Sequence, residues 1–260
     1  MRVPLISLFS LLVSPLAWGA DLNVGPQETY TTIKAALTQA QDGDRIIVAA
    51  GTYTDSLIIF QKEIEIVGAD YQTTFISTGS GENVVDIYDS TVVLSNLSID
   101  GASERRPMQI QYNSAVQLLN MALFGGPDNS SNDGGSLLIE SNSVVSLDNA
   151  HLVTATDARR GGQIAAFDSD LSLVDSFVSQ GDASEYGGGI YAIDSILSLE
   201  NTTVDNNYGY EGGGLFVSYD YLSPATLYVD QSGFAQNDAY MDAADIYGST
   251  GNVTILSSDF

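Results

Sequence analysis

Apolar residues recur along most of the chain in a small number of regularly spaced rows. One row has Leu199 as its reference, and its members lie 24 to 30 residues apart at Leu94, Leu118, Leu147, Leu173, Leu199, Val229 and Ile255. A second row lies five residues after each of these positions, and a third lies about nine residues before most of them. Rows at a fixed interval are typical of a solenoid, in which each lap stacks on the previous lap ~4.8 Å away. The pattern therefore predicts laps of three short strands with one inward row on each strand.

A row of polar residues supports the same arrangement. Two residues after the reference positions come mostly amides, at Asn96, Asn120, Asn149, Asp175, Asn201 and Gln231. Asn tolerates the left-handed backbone of a tight turn, and stacked amides can hydrogen-bond from lap to lap. With a repeat near 25 residues, the sequence predicts an all-β fold, a right-handed parallel β-helix with three short strands per lap.

The first part of the chain contains a helical pattern. Ile33, Ala36, Leu37 and Ala40 recur at helical spacing within residues 30–41, and Thr29 or Thr31 is placed to cap the helix. A helix at this position covers the open end of a solenoid, so we predict an amino-terminal capping α-helix at about 30–41.

The first twenty residues have the features of a secretory signal. Arg2 supplies the positive start, residues 3–16 are apolar, and Gly19 is suited to a cleavage site. The apolar run is too short for a membrane span, which needs ~20 residues. We predict a signal peptide at 1–20, one β-helix domain at 21–260 and no membrane-spanning segment in this chain.

The apolar rows continue to the last residue. Phe260 follows Ile255 by five residues, as Phe234 follows Val229, and no capping segment comes after it. An uncovered terminal strand exposes unpaired backbone groups. We therefore expect the domain to be truncated or open at its carboxyl end, and this open edge is a candidate surface for oligomer formation.

Two stretches carry resemblances to known families. Residues 30–53, with Y-x-x-I-x-x-A-L followed by G-D-x-I-x-V-x-x-G-x-Y, resemble the start of pectin-lyase-like β-helix proteins. The strings GG-x-[IL] at 161–164, 187–190 and 212–215, with F-x-x-N at 234–237, resemble the repeats of polymorphic outer-membrane proteins. The first resemblance implies the fold, and the second implies a solenoid exposed at a cell surface.

Charge limits the possible partners. The chain has 33 acidic and 8 basic residues, and its net charge of −25 disfavours binding to nucleic acid or to an anionic membrane. Half of the basic residues stand in two predicted loops after the third strand, at Arg105, Arg106, Arg159 and Arg160.

These arginines are the candidate catalytic residues, together with Asp128, Asp133 and Asp157 in neighbouring loops. The resemblance to pectate-lyase-like enzymes implies calcium-binding carboxylates and an arginine base on this side of the stack. The simpler interpretation is that basic residues in an acidic protein form ion pairs with their neighbours.

An outward aromatic row is the candidate ligand-binding surface. Tyr191, Phe216 and Tyr247 follow the inward residue of three successive laps. Aromatic rows bind sugar rings or protein partners, but they also stabilise a sheet by stacking on each other.

The leading functional hypothesis is an exported scaffold for adhesion or binding, without catalysis or a cofactor of its own. We expect it to be secreted or exposed at a bacterial outer surface, with a host-cell or matrix carbohydrate or protein as partner. The alternative is a calcium-assisted carbohydrate-active enzyme of the pectate-lyase type acting on acidic polysaccharide.

Overall fold

The chain folds as a parallel β-solenoid, which confirms the predicted β-helix. The computed structural model describes residues 19–77, 82–102, 104–126, 132–219, 225–249 and 252–259. In chain order the elements are β1 (Asp21–Val24), α1 (Ile33–Gln39), β2 (Arg45–Val48), β3 (Gly51–Tyr53), β4 (Leu57–Phe60), β5 (Glu63–Gly68), β6 (Thr74–Ser77), β7 (Asn83–Tyr88), β8 (Thr91–Ser95), β9 (Ser98–Asp100), β10 (Arg106–Gln111), β11 (Ala115–Phe124), β12 (Leu137–Ile139), β13 (Val144–Arg160), β14 (Ile164–Phe167), β15 (Asp170–Val174), β16 (Phe177–Tyr186), β17 (Ile190–Ile193), β18 (Ile196–Glu200), β19 (Thr203–Asp205), β20 (Tyr208–Glu211), β21 (Leu215–Ser218), β22 (Thr226–Asp230), β23 (Gly233–Ala235), β24 (Asp238–Asp242), β25 (Ile246–Gly248) and β26 (Asn252–Leu256).

The strands form two sheets that wrap around one core. Sheet I contains eight strands, one from each of eight laps in the described part of the chain: β4, β7, β10, β12, β14, β17, β21 and β25. Sheet II contains the remaining eighteen strands and forms the other sides of the solenoid. Neighbouring strands in sheet I are parallel, so a given position in one lap lies beside the same position in the next lap.

The inward rows stack as predicted. Leu173 pairs in register with Leu199, and Leu199 pairs with Val229. The members of this row from Leu94 to Val229 are buried, as are those of the second row from Ile99 to Phe234. The row changes at the last described lap, where Ile255 is 42% exposed and β26 pairs, among the described strands, with β22 alone.

The row of mostly amide residues occupies turns of sheet II. Asn96, Asn120 and Asn149 have φ values of 57°, 53° and 52°, in the left-handed region that Asn tolerates. Their amides form part of the predicted ladder, since Asn120 Nδ2 donates to Asn96 Oδ1 (2.7 Å) and Asn149 Nδ2 donates to Asn120 Oδ1 (2.9 Å).

The prediction of three strands per lap is incomplete. Residues 154–161, 180–187 and 205–212 are largely extended, within β13, β16 and β20. They add a fourth side to these laps. In β16 the small residues Gly181 and Ala183 point inward and are buried, while Asp182 and Ser184 are exposed. A polar segment therefore pairs with its neighbours here because its inward positions need little volume.

The capping helix is shorter than predicted. α1 covers Ile33–Gln39 rather than 30–41, and Thr32, not Thr29 or Thr31, is its N-cap, accepting a hydrogen bond from the Ala35 amide at 3.1 Å. The helix buries Ile33, Ala36 and Leu37 against the first laps. Its first amide is also bound, because the Ile33 N–H donates to Asp55 Oδ2 at 2.8 Å.

The two ends of the predicted domain are only partly described. Residues 1–18 and Phe260 lie outside the described residues, so the signal peptide and the last core position stay predictions. Within the described ranges, no helix has both the length and the apolar character needed to cross a membrane.

Candidate functional site

The outer face of sheet I carries a group of amide and carboxyl side chains on three adjacent strands. Asn83 and Asp86 lie on β7, Gln109 and Gln111 lie on β10, and Glu140 follows β12. We call these five residues the polar row. The register places Gln109 beside Asp86 and continues from Gln111 to Glu140, so the parallel stacking of laps brings them together.

Hydrogen bonds connect the polar row from one strand to the next. Asn83 Nδ2 donates to Asp86 Oδ1 and to Gln109 Oε1, both at 2.7 Å. The side-chain amides of Gln109 and Gln111 both donate to Glu140 Oε2. All of these residues except the buried Asn83 are partly exposed, so the row is ordered by its own contacts and remains accessible.

Arg106 lies at the buried edge of the polar row. Its Nη1 donates to Asn83 Oδ1 (2.9 Å), its Nε to the Gly134 carbonyl (2.7 Å), and its Nη2 to the Asp133 carbonyl (2.7 Å). Burial lowers the pKa of Arg106, and the charges of Glu140 and Asp133 partly oppose this shift. Each bonded nitrogen is therefore directed at a protein oxygen.

Asp133 binds two further arginines through its carboxylate. Arg159 donates from Nε and Nη2 to Asp133 Oδ1 and Oδ2, at 2.9 and 2.6 Å. Arg160 donates to the same two oxygens, at 3.0 and 2.6 Å. Burial raises the pKa of Asp133, but the hydrogen bonds and charges of the two arginines outweigh it and hold the pKa below its ordinary value. Three guanidinium groups thus meet at one residue.

Arg160 connects this cluster to the aromatic row. Its guanidinium carbon lies 5.0 Å from the ring centroids of Phe167 and of Tyr191, a cation–π geometry. Its Nη1 also lies 3.4 Å from the Tyr191 hydroxyl. The predicted catalytic and ligand-binding candidates are therefore neighbours on one face, although nothing in the sequence placed them together.

The aromatic row is a closed stack. The rings of Tyr191 and Phe216 are 5.4 Å apart at 20°, and those of Phe216 and Tyr247 are 4.9 Å apart at 7°. Tyr186 covers the stack at 4.7 Å from Phe216, and Tyr191 is only 3% exposed. These rings mainly contact one another, which favours the stacking interpretation, and the two central rings, Tyr191 and Phe216, are buried.

Open aromatic faces lie instead at the other end of sheet I. Phe60 is 56% exposed and pairs in register with Tyr88, and Tyr88 lies 6.0 Å from the ring of the exposed Tyr112. Burial, with the charge and hydrogen bond of Asp86 adding to it, raises the pKa of Tyr88 to about 12. The polar row thus lies between an exposed aromatic group and the Arg160 cluster.

The remaining predicted site residues are Arg105, Asp157 and Asp128. Arg105 contacts Glu104 at 3.4 Å. Asp157 forms no hydrogen bond with the arginines among the described residues, and its charge acts on Asp182. Asp128 lies outside the described residues.

Calcium is implied only by the resemblance to pectate-lyase-like enzymes, and the described candidate residues form no group that would hold it. In the part of the chain that the structure describes, no three Asp, Glu, His or Cys side chains are grouped so that they could hold a metal ion. Asp133, the best-placed carboxylate of the predicted set, already binds two arginines. No chemical step is therefore derived through calcium.

Sequence reasoning missed most of the polar row. Its signal in the sequence is the third position after each inward residue, where Tyr88, Gln111 and Glu140 follow one another on adjacent laps. The segments on either side of the lap that begins at Met108 differ in length, which hides this alignment in the sequence.

Comparisons with known proteins concern the fold. The sequence matches no protein-family model and no curated protein sequence. Similar solved structures include a deglycosylated pectin methylesterase from Aspergillus niger, with 13% identity and a TM-score of 0.48 over 95% of this chain and 86% of that chain. An alginate lyase from Paenibacillus sp. str. FPU-7 has 14% identity and a TM-score of 0.47 over 90% of this chain and 99% of that chain. A pectin methylesterase from Erwinia chrysanthemi has 11% identity and a TM-score of 0.46 over 91% and 81% of the two chains. The likeness is one of fold alone, and the polymorphic outer-membrane repeats stay a resemblance of sequence.

Proposed function

We propose that this protein is an exported β-helix scaffold, secreted or exposed at a cell surface, that binds carbohydrate along the outer face of sheet I. The observation that carries the proposal is the polar row, in which amide and carboxyl groups of three successive laps form one accessible, hydrogen-bonded line. Amides and carboxylates are the side chains that recognise sugar hydroxyls, because they supply both donors and acceptors at fixed positions.

The flanking groups fit the same ligand. Phe60, Tyr88 and Tyr112 offer ring faces at one end, and the apolar faces of sugar rings pack on such surfaces. The sheet repeats its outer positions every ~4.8 Å along the solenoid axis. A polymer of similar residues can therefore contact several laps at once, so a polysaccharide fits this face better than a single small molecule.

Catalysis by an arginine base is the second candidate function. The lowered pKa of Arg106 is the observation that favours it, since a base must lose its proton. Against it, three nitrogens of Arg106 donate to protein oxygens, and both Arg159 and Arg160 are bound to Asp133. The binding proposal therefore leads, and the calcium-assisted lyase remains the alternative.

Affinity electrophoresis in gels that contain different polysaccharides tests the proposal. We expect at least one polysaccharide to retard the protein. Gln111→Ala should weaken the retardation by roughly fivefold, since a hydrogen bond contributes about 1 kcal/mol. The matched control is Gln117→Ala, which removes an equally half-buried glutamine from β11 in sheet II and should leave binding unchanged.

An activity assay separates the two candidates. Polygalacturonate incubated with the protein and calcium should give no increase in the ultraviolet absorbance of unsaturated products. Product formation that is lost in Arg106→Lys would establish the enzyme instead. If every polysaccharide leaves the mobility unchanged while the variants remain folded, the binding proposal is wrong.

A further inference from the structure

We infer that the carbohydrate bound on sheet I is uncharged and rich in hydroxyl groups rather than a polyuronate. This inference rests on the proposed function and specifies its ligand class. It differs from the acidic polysaccharide that the sequence resemblance implies, and three sets of contacts carry it.

The first set concerns the donors of the polar row. Both bonds that Asn83 Nδ2 donates go to protein acceptors, Asp86 and Gln109. The amide nitrogens of Gln109 and Gln111 each donate to Glu140 Oε2. Asn83 thus uses both of its N–H donors within the row, and Gln109 and Gln111 each use one of their two.

Two acceptor atoms of the row are not used within it. The amides of Gln109 and Gln111 reach Glu140 through Oε2, and among the described residues no hydrogen bond reaches Glu140 Oε1 or Gln111 Oε1. A carboxylate oxygen can only accept, so it needs a ligand group that donates. Sugar hydroxyls donate, whereas a polyuronate carries, besides its hydroxyls, carboxylates that are themselves acceptors and would be repelled by Glu140.

The second set concerns the arginines, the groups that would compensate a polyanion. Arg106 donates to two carbonyl oxygens and to Asn83, so its guanidinium is held at the buried edge of the row. Arg159 and Arg160 share the Asp133 carboxylate, and Arg160 lies over aromatic rings. These cations organise the protein instead of projecting toward a ligand on the row.

The third set concerns the charge around the row. The charges of Glu140, Asp133, Asp86 and Glu82 all act to raise the pKa of Arg106, so several carboxylates lie near this end of the row. The whole chain adds a net charge of −25. A polyanion approaching this face meets repulsion that weakens with salt, whereas an uncharged glycan does not.

The test is affinity electrophoresis of the full chain against two uncharged probes, galactomannan and hydroxyethyl cellulose, and two acidic probes, polygalacturonate and alginate. We expect an uncharged probe to bind about tenfold or more tightly than either acidic probe at low salt. Binding of the uncharged probe should change by less than about twofold when the salt is raised to about 0.5 M.

A charge-neutralised variant sharpens the test. Asp86→Asn combined with Glu140→Gln should reduce the difference in affinity between uncharged and acidic probes, because it removes the carboxylates that repel a polyanion. The control combines Asp148→Asn with Glu200→Gln on sheet II, which changes the net charge equally and should leave the difference in place. Melting curves identify a variant that fails to fold, and the salt series on the unmodified chain then decides the question.

The outcomes separate the two proposals. Tighter binding of polygalacturonate or alginate, with or without added calcium, overturns the inference on ligand charge but leaves a carbohydrate-binding protein. Failure of all four probes to retard the chain contradicts the proposed function itself. Both proposals are supported if the unmodified chain and the Asp148→Asn, Glu200→Gln control bind an uncharged probe more tightly than the acidic probes, and if this difference in affinity is smaller in the Asp86→Asn, Glu140→Gln variant.

Discussion

The two halves of the outer face of sheet I share one backbone register but have opposite side-chain arrangements. On β17, β21 and β25 one outward position holds Tyr191, Phe216 and Tyr247, whose rings stack in that order, and Phe167 of β14 and Arg160 pack on Tyr191. On β7 and β10, and just after β12, they hold the polar row. In the aromatic half the side chains contact one another, whereas the polar half retains hydrogen-bond acceptors that face solvent.

This difference shows that the position of a residue in the repeat does not determine whether the residue is structural or available to a ligand. The same outward position is structural where neighbouring laps supply matching rings and accessible where they supply unlike polar groups. We therefore expect substitutions in the aromatic half to change stability, and substitutions in the polar half to change binding.

The largest expected effect is that of Tyr191→Ala on stability. Tyr191 contacts Phe167, Phe216 and Arg160 and is buried, so its loss leaves a cavity and removes ring contacts. We expect the free energy of unfolding to fall by about 3 kcal/mol in urea denaturation. In the control Tyr112→Ala, which removes a 55% exposed tyrosine from the polar half, it should change by about 0.5 kcal/mol or less. A similar decrease in the free energy of unfolding in both variants would contradict the proposed difference between the halves.

Asp133 lies between the two halves, and the effect of replacing it on stability should depend on pH. Because its folded pKa is lowered, Asp133 contributes stability that is fully present above its unfolded pKa of about 3.9 and is lost as pH falls through the lower folded value. Asp133→Asn should therefore cost about 2 kcal/mol at neutral pH, and the difference from the unmodified chain should shrink below about pH 4. Asp157→Asn, which removes no arginine contact, is the control. A deficit that stays constant down to the acid limit would mean that the Asp133 charge is not responsible.

The smallest expected effect is on Tyr88, at the exposed aromatic end. Its phenol should titrate at a pKa of about 12, read as the difference in phenolate absorbance between the unmodified chain and Tyr88→Phe. Because the folded pKa is raised, the associated stability is fully present below about pH 10 and is lost as pH rises through 12. Asp86→Asn should lower this pKa but leave it above the ordinary value, since burial is the larger cause. Titration together with the exposed tyrosines would show that the ring is not buried beside Asp86.

Sequence periodicity predicts what repeats and fails where the laps differ. Leu173 and Leu199 were placed correctly because burial and register impose the same apolar residue on each lap. The extended fourth side was missed because Gly181 and Ala183 have no apolar signature. The meeting of Arg106 and Arg159 at Asp133 was not predictable in detail, because it depends on side-chain contacts between segments of unequal length.

The carboxyl end illustrates the same limit. The apolar row predicted that Ile255 points inward, but its burial depends on whether anything covers β26, which the sequence of the lap does not specify. The position of a residue in a row determines the direction of its side chain, whereas the exposure of that side chain depends on whether another lap covers it.

The glycines at the start of the later laps affect how a protein of this kind can evolve. Gly161, Gly187 and Gly212 have φ values of 64°, 65° and 66°, so the chain enters successive laps with nearly the same backbone geometry. Each lap contacts mainly its immediate neighbours. A tandem duplication of residues 162–187 would therefore begin and end on matching geometry and insert one whole lap without changing the others. Gene duplication can lengthen the outer face in single steps, and recombination between laps can exchange a polar lap for an aromatic one.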